Sequence, residues 1–454
     1  MTHQPNVILL TIDTLRADMV GCYRHTSLTP NLDSLAASGV CFTQAITGGS
    51  WTQAAFPVLL TSTYASMYGG CLIPLAPDRP SPVESLASHG YTTAGFSTSP
   101  LLSRNYHYDR GFDEFFDLDP GETDPPLRWM RGGQRLLRNP LTHYISSLLG
   151  TSTRPASLYV SAEEMTDGVC NWIETARQPF FLWAHYMDIH WPYHLQEQLQ
   201  HPRDIAQVWQ DLGHLYRANW RGETLTAAHR ERYMRLYEQA VAYTDQQLGR
   251  LFNHLESLGL LQNSIVVVVS DHGEEFLERR RWGHFETNLY DEILRVPLII
   301  RLPGQSAGQV VTRQTRTLDI MPTILDLCHC SLPEGMEGSS LAPLWGETDG
   351  LYDAEESISE MWRDEWHIIA VRSEDHKYIW NSRSPEQPQL FDLQADPEER
   401  RNIAGEQPEK ARYFQSRVDT HLQRVAEMES TAVTATLDLD EEVIQRLRGL
   451  GYLP

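Results

Sequence analysis

The sequence predicts an α/β protein built on a mostly parallel sheet, followed by a small antiparallel sheet. Residues 265–269 (IVVVV) form an unbroken β-branched run, which is typical of a parallel strand buried on both faces. Residues 231–256 repeat apolar side chains at helical spacing, as expected of a helix that covers the sheet and leads into that strand. Beyond about residue 355, short strand-like runs alternate with turn residues, which favours the antiparallel sheet.

The remaining elements are predicted from similar signals. Residues 6–11 (NVILLT) and 180–184 (FFLWA) are further apolar runs of strand length. A proline in the first turn, Pro30 or Pro82, favours helices at 29–39 and 81–90. The other predicted elements are strands at 91–96, 296–301, 367–371, 377–380 and 389–393 and helices at 318–328 and 440–447.

Residues 45–70 join a glycine-containing loop to an apolar segment that we expect to be helical. Thr52 lies near the start of this segment. A threonine there is most often an N-cap, and a catalytic role is the alternative. Because Pro57 interrupts regular helix geometry, we expect the helix to begin a residue or two after Thr52.

Residues 119–159 lack the periodicity of regular elements. They include Pro125, Pro126 and a local excess of arginine. A long irregular insertion in a compact domain is usually a functional lid or a mobile segment. The arginines would attract an anionic substrate or a membrane surface, and a solvated surface loop is the other interpretation.

Composition narrows the class of protein. The 454 residues suffice for a large core or two domains, and the formal net charge of −23 argues against a dedicated nucleic-acid binder. No apolar run has the length of a transmembrane helix, and the amino end lacks the basic flank and cleavage site of a secretory signal. Six cysteines without zinc-ligand spacing predict free thiols in a reducing compartment, hence a cytoplasmic location.

Three of the apolar runs are each followed by residue types that bind metals. Asp13 follows the first run, Asp188 and His190 follow the run at 180–184, and Asp271 and His272 follow the run at 265–269. The carboxyl ends of parallel strands share one edge of a sheet, where ligands bind in open α/β folds. Mixed carboxylate and imidazole ligands suit a divalent cation. The sequence therefore predicts a metal centre at this edge.

Other histidines near this edge have weaker signals. His284, in WGHFE, is close enough in sequence to fold back over the same crevice. A neutral core or surface histidine is the alternative for both His284 and His190. His185 and His194 receive no predicted role.

Six segments resemble, in order, those of the sulfatase branch of the alkaline phosphatase superfamily. They are NVILLTIDTLRAD, GCYRHTSLTPNLDSLAASGVCFTQA, VVSDHGEE with WGHFETNLYDEILRVPLII, LDIMPTILDLC, LFDLQADPEERRNIA and LRGLGYLP. The resemblance implies a doubly wound α/β catalytic domain, which we assign to residues 1–350. It also implies a smaller carboxy-terminal α+β subdomain packed on it, which we assign to residues 351–454.

The resemblance also implies roles for individual residues. Asp13, Asp271 and His272 match the family's metal ligands, and Thr52 falls at the position of the nucleophile, whose oxygen also binds the metal. His190 and His284 match positions that contact the transferring group or a second metal and take part in catalysis. Asp188 is a further substrate-binding residue by its place beside His190.

The sequence departs from the family at the nucleophile. Sulfatases carry Cys or Ser followed by x-Pro-Ser-Arg, and they convert the first residue to formylglycine. Here the segment is Thr52-Gln-Ala-Ala-Phe56, and threonine cannot form that aldehyde. Thr14 also stands where a second metal-binding aspartate is usual, and Ser97-Thr-Ser99 stands near the place of a family lysine.

These departures favour a metal-dependent hydrolase or transferase of phosphodiesters or phosphonates that forms a covalent intermediate on Thr52. One alternative is a sulfuric ester hydrolase without formylglycine, and another is a catalytically silent binding protein. Mixed ligands favour zinc or manganese over magnesium or calcium, with one or two ions bound. The expected partner is a small-molecule ester, and the oligomeric state is left open.

Overall fold

A computed structural model describes residues 4–24, 27–118, 159–191, 193–195, 202–348, 350–363, 365–430 and 433. Its strands are β1 (Asn6–Ile12), β2 (Val40–Ile46), β3 (Thr92–Ser97), β4 (Glu114–Asp117), β5 (Phe180–Tyr186), β6 (Ser264–Ser270), β7 (Glu275–Phe276), β8 (Trp282–Gly283), β9 (Arg295–Arg301), β10 (Gln309–Val311), β11 (Thr315–Arg316), β12 (Ser357–Arg363), β13 (Trp366–Arg372), β14 (His376–Asn381) and β15 (Gln389–Asp392). Its α-helices are α1 (Gly21–Arg24), α2 (Pro30–Ala37), α3 (Thr52–Thr61), α4 (Pro82–Ser88), α5 (Ala162–Ile173), α6 (Pro202–Arg221), α7 (Ala227–Ser257), α8 (Asp291–Leu294), α9 (Ile320–Leu327) and α10 (Pro408–Glu429).

The large sheet has the order β10-β2-β9-β6-β1-β5-β3-β4, with β11 also paired to β2, among the described residues. All its pairs are parallel except those of β9, which runs antiparallel to both β2 and β6. At the centre, Ile12 pairs with Tyr186 of β5 and with Ser270 of β6. The carboxyl ends of β1, β5 and β6 therefore lie side by side, as predicted.

The central strands are buried on both faces. On β1, Val7 and Leu9 pack into one apolar cluster and Ile8 and Leu10 into another, because successive side chains of a strand point to opposite faces. Helices α3, α4 and α9 contribute to the first cluster, and α2, α5 and α7 to the second. Helices thus cover both faces, which confirms the doubly wound, mostly parallel α/β fold.

The four strands β12-β13-β14-β15 form the predicted small antiparallel sheet. Strand β12 contacts the loop that follows β2 of the large sheet, where Glu360 donates its backbone N–H to the carbonyl of Gly48 at 2.9 Å. The sequence interpretation did not include β12, α6 or α10. None of the helices in the described ranges is both long enough and apolar enough to cross a bilayer. The predicted helix at 440–447 and nearly all of the irregular insertion at 119–159 lie outside the described residues.

Helix α3 corrects one detail of the prediction. It begins at Thr52 and continues past Pro57, with Trp51 in the N-cap position. Thr52 is therefore the first residue of the helix and not its N-cap. Tight packing fixes the preceding loop, since a Cβ on Gly49 would lie 2.3 Å from the Cβ of Ala54.

Candidate active site

Asp13, His185 and Asp271 meet at the carboxyl edge of the central strands. One potential ligand atom from each lies within 4.8 Å of the other two, and all three residues are fully buried. The His185 Nε2 atom is 3.4 Å from Asp13 Oδ2. Two carboxylates and one imidazole in this arrangement form a candidate metal centre.

The inner atoms of this cluster have no hydrogen-bond partner. Asp271 Oδ1 accepts the backbone N–H groups of His272 at 2.8 Å and Thr14 at 3.2 Å. Asp271 Oδ2, both carboxylate oxygens of Asp13 and His185 Nε2 have no hydrogen-bond partner. Because buried charged groups are normally paired or bound to metals, these atoms fit a divalent cation.

His272, a predicted ligand, lies beside Asp271 but is not one of the three residues of this group. Its Nδ1 lies 3.0 Å from the carbonyl of Gly273, which can only accept, so Nδ1 carries the proton and Nε2 offers a lone pair. Nε2 has no hydrogen-bond partner and lies 3.5 Å from Asp271 Oδ2. Burial lowers the pKa of His272 to about 3, so the imidazole is neutral at physiological pH.

The two carboxylates differ in their electrostatic surroundings. Burial alone would raise the pKa of Asp13, but the imidazoles of His185, His190 and His272 lower it below its ordinary value. The pKa of Asp271 is raised well above its ordinary value by burial and by the charge of Asp13. A bound cation would offset the repulsion between these two groups.

Thr52 is the first residue of α3. Its Oγ1 is buried and has no hydrogen-bond partner. Phe56, one helical turn later on the same face, packs its ring edge-on against His185 with the centroids 4.9 Å apart. This contact places the face of α3 that carries Phe56 and Thr52 on the side of His185, with Thr52 at the amino end of the helix.

His190 and His284 complete a group of imidazoles at the same edge. The His284 ring lies 4.6 Å from that of His272 and 5.0 Å from that of His190. The Nδ1 atoms lie 3.4 Å from the Glu274 carboxylate for His284 and 2.9 Å from the Trp191 carbonyl for His190. Burial lowers the pKa of both, to about 4 for His284, so both rings are neutral at physiological pH.

Asp188 is buried beside the start of α5. Its carboxylate accepts the backbone N–H of Ala162, while Oδ2 has no hydrogen-bond partner. Burial raises its pKa to about 7. The described contacts thus place Asp188 at a helix start, and its predicted role in substrate binding stays a prediction.

A comparison with protein-family models identifies the chain. Residues 5–330 match the model described as sulfatase, and residues 281–428 match the model of the carboxy-terminal region of N-sulphoglucosamine sulphohydrolase. The chain belongs to the sulfatase family. This confirms the predicted superfamily, and ester hydrolysis is the activity that this family supports.

Relatives of this sulfatase-family chain carry sulfatase names. Arylsulfatase K of Canis lupus familiaris is 35% identical over 182 residues, which cover 38% of this chain and 34% of that protein. The N-acetylglucosamine-6-O-sulfatase of Bacteroides thetaiotaomicron is 24% identical over 89% of this chain and 83% of its own length. The chain thus spans about a third of the arylsulfatase K sequence that it matches.

A solved structure of a protein in complex with its substrate D-glucosamine-2-N,6-O-disulfate shares the fold, with a TM-score of 0.71. It is 20% identical, and the match covers 93% of this chain and 98% of that one. The predicted preference for phosphoric esters is wrong, because the names of these relatives indicate sulfuric esters. The alternative of a sulfuric ester hydrolase fits better.

In this sulfatase-family chain, the Thr14 side chain forms a hydrogen bond with the main chain, whereas an aspartate at this position would bind the metal. Thr14 has a left-handed backbone conformation (φ 58°) and donates its hydroxyl to the carbonyl of Ile189 at 2.9 Å. Its backbone N–H donates to Asp271, so the residue supports the centre through its main chain. Ser97 ends strand β3 and accepts the backbone N–H of Ser99 at 3.2 Å.

Sequence reasoning missed His185 and Glu274. A signal for His185 was present, because successive side chains of a strand point to opposite faces and every second residue therefore shares a face. On β5, His185 shares its face with Phe181 and Trp183, which join the cluster that packs against α3. At the same two-residue spacing, Asp13 follows the residues of β1 in this cluster, and Asp271 follows those of β6. Glu274 had no such signal, since its contact with His284 comes from the return of a later loop.

Proposed function

We propose that the protein hydrolyses sulfate esters of small organic alcohols at a divalent metal centre, with Thr52 as the nucleophile. The observation that carries the proposal is the buried group of Asp13, His185 and Asp271 ligand atoms that have no hydrogen-bond partner. Helix α3, which begins at Thr52, contacts this group through Phe56 and His185, and the Thr52 hydroxyl also has no hydrogen-bond partner. Relatives of the same family are named for sulfated sugars, so sulfated sugars are the first substrate class to test.

Asp13, His185, Asp271 and His272 would hold the cation. When bound, it would lower the pKa of a coordinated hydroxyl and offset charge on the sulfuryl oxygens. Mixed carboxylate and imidazole ligands favour zinc or manganese over calcium, which prefers oxygen ligands alone. We propose one such ion at this group.

The residues of the chain account for the movement of protons. The Thr52 oxygen attacks sulfur, a new oxygen–sulfur bond forms, and the bond from sulfur to the alcohol oxygen breaks. A neutral imidazole, His284 or His190, takes the Thr52 proton and passes it to the departing alcohol oxygen. In the tautomer of His284 whose Nδ1 donates its proton to Glu274, Nε2 is the accepting nitrogen.

The second half of the reaction reverses these roles. Water attacks the sulfur of the Thr52 sulfate ester, and an imidazole takes a proton from that water. The same proton returns to the Thr52 oxygen as its bond to sulfur breaks, and sulfate leaves. Because burial keeps both imidazoles neutral, each can accept a proton at physiological pH.

The proposal is tested by comparing 4-nitrophenyl sulfate with 4-nitrophenyl phenylphosphonate on metal-reconstituted protein. We expect kcat/KM to be at least about tenfold higher for the sulfate, and Thr52→Ala to lower it at least about 10³-fold. Thr61→Ala is the matched control, because Thr61 ends the same helix and donates its hydroxyl to the Pro57 carbonyl. Preference for the phosphonate, or equal activity of Thr52→Ala and the wild type, would contradict the proposal.

We also propose that the protein works in a reducing compartment such as the cytoplasm. The support is that all six cysteines are free thiols, including Cys22 and Cys41, whose sulfur atoms lie 3.7 Å apart. Titration of six thiols in protein purified without reductant tests this proposal, and a stable disulfide in the protein isolated from its cell would contradict it.

A further inference from the structure

The short helix α8 connects the two loops that build the candidate active site. The carbonyl of Ile293 accepts the backbone N–H of Gly273, directly after His272, at 2.7 Å. The carbonyl of Leu294 accepts the backbone N–H of Thr47, in the loop that leads to Thr52, at 2.9 Å. The position of α8 therefore affects both the metal-binding turn and the nucleophile loop.

The contact between α8 and the metal-binding turn leaves no spare space. A Cβ on Gly273 would lie 2.3 Å from the carbonyl oxygen of Glu292. A small displacement of α8 would thus move the Asp271-His272-Gly273 turn with it. A displacement on the order of 1 Å is enough to impair a catalytic site.

Residues of the small sheet hold the first residue of α8 through a buried ion cluster. The Asp291 carboxylate lies 2.6 Å from Lys377 Nζ and 2.9 Å from Arg372 Nη2. Glu399 joins the cluster, because it accepts the Asp291 backbone N–H at 2.7 Å and lies 2.7 Å from Lys377 Nζ. The side chain of Lys377 is fully buried.

The paired charges of this cluster favour one arrangement of its side chains. Burial alone would raise the pKa of Asp291, but Arg372 and Lys377 lower it below its ordinary value, so the carboxylate stays ionised. A buried charge without its partners is strongly unfavourable, and the cluster therefore favours one position of α8.

The small sheet makes a second contact with the nucleophile loop. Ser359 donates its hydroxyl to the carbonyl of Thr47 at 2.6 Å, and Glu360 donates its backbone N–H to the carbonyl of Gly48 at 2.9 Å. The loop that leads to Thr52 thus lies between α8 and strand β12.

We propose that Lys377 and Arg372 are positioning residues of the active site, which fix the metal-binding turn relative to Thr52 by way of Asp291 and α8. This inference rests on the proposed function for its catalytic consequence. Its structural consequence, the placement of residues 271–273 and 47–52, is independent of the substrate.

The test compares Lys377→Met with Arg401→Met in the chain of 454 residues. Arg401 pairs with Glu406 at 2.7 Å in the same subdomain, but both side chains are exposed. For Lys377→Met we expect affinity for Co²⁺ to fall at least about tenfold, with an altered visible spectrum of the bound ion. We also expect kcat to fall with KM little changed, and amide exchange to accelerate in residues 47–52 and 271–273. Arg401→Met should resemble the wild type in every measurement.

A second variant covers the case in which Lys377→Met does not fold. Lys377→Met combined with Glu399→Gln removes both members of one ion pair and leaves the pair of Asp291 and Arg372. A folded variant of either kind that keeps wild-type Co²⁺ affinity, spectrum and amide exchange would overturn the inference. Since amide exchange and Co²⁺ binding need no substrate, they decide the inference even if the wild type does not hydrolyse sulfate esters.

Discussion

At the scale of single residues, the assignment of the candidate metal centre depends on which buried atoms lack a hydrogen-bond partner. Strand ends predicted Asp13, Asp271 and His272, because each follows a strongly apolar run. His185 was not predicted, although it lies within ligand distance of the two aspartates. A histidine in an aromatic-rich strand is not a distinctive signal. Only its two-residue spacing from Phe181 and Trp183 indicates which face of the sheet the His185 side chain occupies.

His185→Ala should lower the affinity for Zn²⁺ or Mn²⁺ by about ten- to a hundredfold, because one ligand of the centre is lost. The measurement is titration calorimetry on metal-stripped protein. His194→Ala is the control, since His194 also pairs with a buried aspartate, Asp211 at 3.0 Å, but is not part of the cluster. Equal affinity of the two variants would remove His185 from the ligand set.

Acid should destabilise the metal-free protein through its buried imidazoles. Burial lowers the pKa of His284 from 6.5 to about 4, so the unfolded chain binds a proton in this range that the folded chain does not. The contribution of neutral His284 to the free energy of unfolding is therefore fully present above pH 6.5 and is lost as the pH falls towards 4. His284→Gln should reduce this loss by up to about 3 kcal/mol, as measured by urea unfolding across the range. An unchanged pH dependence in the variant would contradict this.

At the scale of elements, close backbone packing sets where helices and turns begin. The prediction that α3 starts after Thr52 was wrong, because Pro57 is accommodated inside the helix and the loop before it is fixed by glycine packing. The contact between Gly49 and Ala54 depends on how the loop folds back onto the helix, which residue types alone do not reveal. The same is true of Gly273, whose need for a hydrogen at Cα arises from α8 and not from a turn.

Gly273→Ala should destabilise the protein by about 1–3 kcal/mol and weaken metal binding, because the new methyl group would overlap the Glu292 carbonyl. Gly405→Ala is the matched control, since a Cβ there meets no atom within 4 Å. Thermal unfolding and metal titration of both variants check the prediction. It fails if Gly273→Ala matches Gly405→Ala in both.

At the scale of the whole molecule, the sequence predicted the α/β fold and its small antiparallel sheet well. The segments that carried this prediction are long apolar strands and a strongly periodic helix, which local pattern determines. The contacts between the two parts could not be predicted, because they arise from distant residues. Ile46 and Ile293 share an apolar cluster with Met361, Ile368 and Phe391.

The division into residues 1–350 and 351–454 stays a prediction, and truncation tests whether the first part folds without the second. A chain that ends at residue 350 would expose the apolar cluster beneath the small sheet and leave Asp291 without Arg372 and Lys377. We therefore expect this fragment to aggregate or to bind a hydrophobic dye. A soluble fragment with cooperative unfolding would show that residues 1–350 fold independently.

The central claim is that the sulfuryl group of the substrate is transferred to the Thr52 oxygen before water releases it as sulfate. Rapid quenching of the metal-loaded protein during turnover of 4-nitrophenyl sulfate, followed by peptide mass spectrometry, tests it directly. The account predicts a transient sulfuryl group on the peptide that contains Thr52, and its absence in Thr52→Ala. Sustained turnover with that peptide unmodified at every time point would contradict the account.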